Sequence, residues 1–337
     1  MNKRLFKQLL ISFLIGVLVL SLSGCQRIGN FYFSTSLTDT YLAAGHKTSL
    51  TTREANLIFM DYQTRYNAYY SRSGIENFWE LPVSGYTFSD YLKEKRIKEE
   101  ICLLLLLNDM AKDSGITLDE TEKRLCGQAA KTYYSGLNEI ERAYCQAQES
   151  DVASLYEKYR TAQKLLYQLT DGIYLEISDN DKRVISIQIL STDNLDLANQ
   201  LHEQLQAGGD FVQAAREHSL LSKIEYQVSR GMLNPALEEI AFYLADGEVS
   251  EVIATDGRYF LIRCVEDFDE ELSIANEEEI YRQSLYEQWG PIVEEYAAGH
   301  KISFQFDLWS EMTFTMTSAM TNANLFDVYD QYLKTNE

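Results

Sequence analysis

Proline is scarce: three residues in 337 leave no polyproline tract and no proline-stiffened linker. Histidine is scarcer than chemistry usually requires, with only His46, His202, His218 and His300. There is no HExxH, no P-loop, no GxGxxG after a strand and no GxSxG, so zinc hydrolase, nucleotide and serine hydrolase chemistry have no foothold. Basic residues are also few, 30 against 51 acidic ones for a formal charge of −21, and such a surface repels phosphate backbones and anionic lipid heads. Nucleic acid is therefore not an expected partner. Cysteine pairs are missing as well. Cys102, Cys126, Cys145 and Cys264 show no CxxC spacing and sit among apolar residues, which favours buried free thiols over a zinc site, with disulfide formation left open. The acidic runs Asp267–Glu271 and Glu277–Glu279 lack loop glycines at calcium-loop spacing and read as solvated faces; no metal and no cofactor is expected.

What is present begins with Lys3, Arg4 and Lys7 followed by an uncharged apolar run from Leu9 to Leu22. Fourteen residues are too few to span a bilayer core of about 30 Å, so the run reads as a signal peptide. It closes in Leu22-Ser23-Gly24-Cys25, which resembles a bacterial lipobox, and Cys25 is the expected lipidation site. The resemblance implies a chain held by its lipid on the extracytoplasmic face of the cell membrane. Without residues 1–24 the chain carries 27 basic against 51 acidic residues, a formal charge of −24.

At 337 residues the chain exceeds one ordinary core, which predicts two domains. After a tether over residues 25–45, Thr52 is placed to cap an aromatic-rich helix, and Phe88 to Lys112 predicts a helix buried all round at Leu103–Leu107. Gly115 stops it, and Thr117-Leu118-Asp119-Glu120 has capping-box spacing, with Thr117 as the cap. From Asp151 to Leu169, Val152, Leu155, Tyr156, Tyr159, Leu166 and Leu169 draw an apolar stripe of helix-to-helix core.

A different pattern starts at Val184. Ile185, Ile187 and Ile189 alternate with Ser186, Gln188 and Leu190 as in a half-buried strand. Leu197, Leu201 and Leu205 then stripe a helix that Gly208-Gly209 closes, and Asp210 caps the next, Phe211 to His218. Beyond Gly231 and Pro235 a short helix carries Leu237, Ile240, Ala241 and Leu244, and Gly247 ends it. Two strands, Val249 to Ala254 and Arg258 to Val265, close over Thr255-Asp256-Gly257, a tight-hairpin signal. A helix from Asn276 to Tyr296 and an aromatic tail with Phe304, Phe306, Trp309 and Phe314 follow.

The strings GMLNPALEEIAFYLADGEVSEVI and DGRYFLIRCVE resemble the second half of a parvulin-type peptidyl-prolyl isomerase domain. LYEKYRTAQKLLYQLT followed by EISDNDKRVISIQIL is similar to the junction between a SurA-N-like helical domain and a parvulin domain. The chain as a whole resembles the PrsA/SurA class of extracytoplasmic foldases. The resemblance implies an α+β protein: an all-helical SurA-N-like chaperone domain over 46–178, and a parvulin-like domain over 179–268 with a four-stranded antiparallel sheet and helices. Residues 269–337 would then pack back on the helical part.

It also implies prolyl cis-trans isomerisation and chaperone action on unfolded exported proteins with X-Pro segments. Rotation about that bond faces roughly 18–20 kcal/mol and breaks no covalent bond, so gripping the ring, desolvating the carbonyl and hydrogen-bonding the twisted amide suffice. Carried over by position, the substrate pocket falls on Gln188, Leu233, Leu237, Phe242 and Phe260. Gln188 and Phe260 stand where the family has its paired histidines, and Ile224 where it has Cys or Asp, so the catalytic residues stay unassigned. His202 and His218 lie on helices outside the aligned pocket. The alternatives are a non-catalytic holdase with a degenerate parvulin domain and a solute-binding lipoprotein.

Overall fold

The computed structural model describes residues 32–35, 41–72, 75, 77–173, 175–314 and 319–333, the first four by backbone alone. The signal peptide and Cys25 lie outside the described residues. No helix among the described residues is long and apolar enough to cross a membrane. The chain divides into two units, one made of the residues up to Ile173 together with those from Leu285 onward, the other spanning Tyr174–Ser284. The second unit thus begins before the expected 179 and runs past the expected 268.

The first unit is helix-rich but not all-helical. Strands β1 (Tyr32–Thr35), β2 (Tyr41–Ala44), β3 (Ser49–Thr51) and β10 (Ile302–Gln305) form a sheet of order β1-β10-β2-β3, in which β1 and β10 run parallel. Strands this short carry no readable alternation, and β10 pairs with partners more than 250 residues away in sequence, so the helical pattern around them hid the sheet. Helix α1 (Thr52–Arg72) starts one residue earlier than expected: Glu54 N–H donates to Thr51 Oγ1 (3.2 Å) and Thr51 N–H to Glu54 Oε2 (2.8 Å).

The long apolar helix is α3 (Lys98–Asp113), with Leu103 to Leu107 all buried. Helix α4 (Glu120–Gly136) is capped by Asp119 rather than Thr117. Its carboxylate accepts from the Thr121 and Glu122 N–H groups at 2.8 Å, and Glu122 rather than Glu120 returns the bond to the Asp119 N–H. Glu122 is held there by Arg160 and Lys164 from α6 (Glu149–Leu169) at 3.1 and 2.7 Å, a tertiary choice between two local candidates. The tail is packed into this unit. Trp309 Nε1 donates to Glu94 (2.8 Å), Tyr156 donates to the Leu325 carbonyl (2.6 Å), and Tyr329 donates to Gln163 (3.1 Å).

The second unit is built on an antiparallel sheet of order β7-β6-β9-β8, formed by Glu225–Ser229, Val184–Thr192, Arg258–Glu266 and Ile253–Thr255. Asp256 and Gly257 sit at φ 51° and 70°, the pair of positive angles that a two-residue hairpin turn needs. Strand β8 begins at Ile253, later than expected, with Val249 reaching β9 only through one bridge to Arg263. Both faces of the sheet are covered. On one face Ile185, Ile187, Ile189, Ile262 and Cys264 pack with Leu237, Ala241 and Phe242 of the segment around α10 (Pro235–Ala241). On the other, Leu190 and Leu261 pack with Leu201 and Leu205 of α8 (Leu195–Gln206) and Phe211, Ala214 and Ala215 of α9 (Phe211–His218). Cys102, Cys126, Cys145 and Cys264 are buried free thiols, and burial pushes the first two up to about 12.

Candidate active site

Strand period decides which side chains meet on the α10 face. Successive residues of a strand point to opposite sides, so Ile187 and Ile189 on this face require Gln188 to point to the other. There Gln188 Nε2 reaches its cross-strand partner Glu225 at 3.3 Å, while its Oε1 is buried without a hydrogen-bond partner. Gln188 is therefore not brought into the expected pocket. Ile224 is likewise on the far side, packed against the Leu190–Leu261 cluster, although its carbonyl accepts from the Ile189 N–H at 2.9 Å. The physical reason is strand parity: with Ile187 and Ile189 on the α10 face, the residue between them is turned away, and Ile224 stands before the first residue of β7.

The structure does bring together Leu233, Leu237, Phe242 and Phe260. Leu237 and Phe242 belong to the buried cluster, and Leu233 and Phe260 pack against it half-buried, so their outer surfaces stay accessible. Two residues missed in the sequence join them. Ile187 is buried in the same cluster, and Tyr226 lies directly across from it on β7. Tyr226 shares a face with Val228, which alternation within Glu225–Ser229 would have shown. The Tyr226 hydroxyl donates to the Lys223 carbonyl at 2.9 Å, and the Lys223 ammonium lies 4.9 Å from its ring centroid. Ser191, opposite Phe260 in the ladder, keeps a buried hydroxyl with no partner.

No histidine belongs to this face. His202 lies 3.5 Å from Glu251, and His218 lies 3.8 Å from Glu217, on the helices α8 and α9 that cover the opposite side. Phe242 is almost fully buried, its ring overlain by the Arg230 guanidinium at 3.9 Å and flanked by Arg183 at 5.8 Å, so it supports the apolar cluster from beneath. Such an arrangement offers an apolar grip and hydroxyl groups, without a titratable pair.

A four-stranded antiparallel sheet with two helices on one face and a short helix with a closing hairpin beside an apolar face on the other is the arrangement that the resemblance to parvulins implies. Residues 191–266 match the family described as Rotamase, PPIC-type PPIASE domain. Among known proteins, the chain is 24% identical over 206 residues to the foldase protein PrsA of Caldanaerobacter subterraneus subsp. tengcongensis. That match takes in 58% of this chain and 65% of the relative, so the chain spans just under two thirds of the relative's length. Among solved structures, the parvulin NmPin of Nitrosopumilus maritimus is 27% identical, covering 24% of this chain and 95% of that one at a TM-score of 0.22. The peptidylprolyl isomerase PrsA of Bacillus cereus is 15% identical, covering 74% and 95% at a TM-score of 0.33.

Proposed function

We propose that this chain is an extracytoplasmic foldase, anchored through a lipid on Cys25, that binds unfolded exported proteins and isomerises their X-Pro bonds. The observation that carries this reading is the apolar face on which half-buried Leu233, Phe260 and Tyr226 lie over buried Leu237 and Ile187 in a parvulin-type sheet. A proline ring seated there leaves water, and the desolvated carbonyl no longer holds the resonance form that stiffens its C–N bond. Tyr226 supplies a hydroxyl for the twisted amide once it releases the Lys223 carbonyl. Hydrophobic grip and one hydroxyl account for modest catalysis without histidine.

A second reading is favoured by that same lack of histidine: a holdase whose parvulin-type unit clamps peptides without turning them over. The solute-binding alternative has no support, because two doubly wound lobes would need parallel sheets, and among the described residues the sheet of the second unit is wholly antiparallel. Prolyl isomerisation of X-Pro peptides by the chain from Gln26 onward, beside Leu237→Asp, separates the first two. Acceleration by the parent alone supports the isomerase; no acceleration, with aggregation of an unfolded client still suppressed, leaves the holdase. Labelling with a radioactive fatty acid in a bacterial host, lost in Cys25→Ser, tests the anchor.

A further inference from the structure

At the end of the sheet where β6 begins and β9 ends lies a cleft of about 580 Å³, lined among others by Asn180, Arg183, Arg230, Phe242, Tyr243 and Asp267. Two guanidinium groups meet in it over one aromatic ring. Arg183 is fixed by backbone: its Nε donates to the Asp267 carbonyl at 2.6 Å and its Nη1 to the Phe242 carbonyl at 3.1 Å. Its Nη2 stands 3.8 Å from the Asp267 carboxylate, too far for a hydrogen bond.

Arg230 is similarly half-answered. Its Nη2 donates to Asn180 Oδ1, its Nη1 is 3.9 Å from Glu238, and its Nε is buried with no partner. Glu238 is turned toward the Gly231 N–H, which donates to it at 2.7 Å. Asp267 and Glu238 thus each stand beyond hydrogen-bond reach of the guanidinium they face. Tyr243 adds a side chain that is 86% exposed at the lip. A planar guanidinium fork is matched by a carboxylate, which accepts two parallel N–H bonds.

We propose that this cleft is a carboxylate-binding site of the second unit. It takes an Asp or Glu side chain, or a terminal carboxylate, of an extended peptide, with the residue beside it laid on Tyr243. Arg230 and Arg183 Nη2 supply the donors, and Asp267 acts as the internal competitor that the ligand displaces. The site adjoins the prolyl face through Phe242, whose ring belongs to both, and it stands whether or not that face turns substrate over.

The test uses the full chain and proline-free fluorescent hexapeptides read by anisotropy. One is blocked at both ends with a central Glu, one is its Gln twin, and one is the Gln peptide with a free C-terminus. Binding of the Glu peptide at least tenfold tighter than its Gln twin is expected, weakened by high salt and lost in Arg230→Gln. Tight binding of the free C-terminus alone would assign the site to chain ends; tight binding of both carboxylate peptides would assign it to either source. Asp267→Asn provides the control that misfolding cannot mimic, since it should raise affinity several-fold. Equal binding of all three peptides, or weaker binding by Asp267→Asn with an unchanged melting curve, overturns the proposal. Loss of isomerase activity in the proline assay does not touch it, because these peptides contain no proline.

Discussion

Tyr226 stands directly across the strand pair from Ile187, on the face that carries Leu237 and Phe260, whereas Gln188 one residue along is turned to the opposite side. That register makes Gln188 dispensable to any chemistry on the α10 face. Gln188→Leu should leave isomerisation or peptide binding unchanged and alter stability by no more than about 1 kcal/mol, since it removes a buried unpaired oxygen as well as one hydrogen bond. Tyr226→Phe should instead lower kcat/KM with the fold intact. Parallel peptide kinetics and denaturant titrations of the two variants check both statements.

Glu100 is buried on α3 and accepts hydrogen bonds from Tyr62 (2.7 Å) and Tyr159, drawn from α1 and α6. Burial pushes its carboxyl up from the ordinary 4.5 to about 7, against the two tyrosine hydrogen bonds that pull it down. The native state therefore binds a proton more tightly than the unfolded chain, and stability falls as pH rises from about 4.5 through about 7. The loss is on the order of 3 kcal/mol at 1.36 kcal/mol per pH unit. Asp61, also raised by burial, adds to the slope in the same sense. Denaturation midpoints measured from pH 5 to 8.5 should decline in the parent and flatten in Glu100→Gln.

Asp109 fastens the turn after β2 to α3. Its carboxylate accepts from the His46 and Lys47 N–H groups at 2.5 and 3.0 Å and from Thr48 Oγ1 at 2.6 Å. Asp109→Ala strands these donors and should cost about 2–4 kcal/mol. Gly45→Ala attacks the same joint from the other side, because an added Cβ would meet Asp109 Oδ2 at 2.3 Å. Both should lower the melting temperature by similar amounts, and the double variant by less than the total of the two.

The hairpin between β8 and β9 depends on Gly257 at φ 70°. Gly257→Ala should destabilise by roughly 1–2 kcal/mol through left-handed strain alone, since no atom lies within 4 Å of the added Cβ. Asp256→Asn, which tolerates the φ of 51° equally well, should be close to neutral. Thermal melts of the two variants distinguish backbone strain from packing.

Much of the second unit was legible in residues alone. The Asp-Gly turn, the Asp210 cap on Gln213 N–H at 3.0 Å and the stripe Leu201–Leu205 are local instructions, and the backbone follows them. Helix caps in the first unit were legible only to within a residue or two, because Thr117 and Asp119 both satisfy the local rule and the Arg160–Glu122 pair selects between them. The mixed sheet of β1, β2, β3 and β10 was not legible, since its short strands are joined across most of the chain. On the α10 face the structure groups Leu233, Leu237 and Phe260, which are carried over by position, whereas it turns Gln188 away and adds Tyr226, which position does not give.

By itself, the sequence determined the elements: alternation made β6 a strand, glycines and Asp-Gly ended and turned the chain, and Gln188 and Phe260 took the positions where the resembling family has its histidines. Only the tertiary structure decided which face of β6 carries the partly accessible apolar cluster and which is covered by two helices. Both sides of that strand are packed, Ile185, Ile187 and Ile189 on one and Leu190 on the other, so alternation alone does not say which side a peptide could reach. The distinction arises when α8 and α9 cover one face and α10 with Phe260 flanks the other. The same packing brings Arg183 and Arg230, 47 positions apart in the chain, over the ring of Phe242.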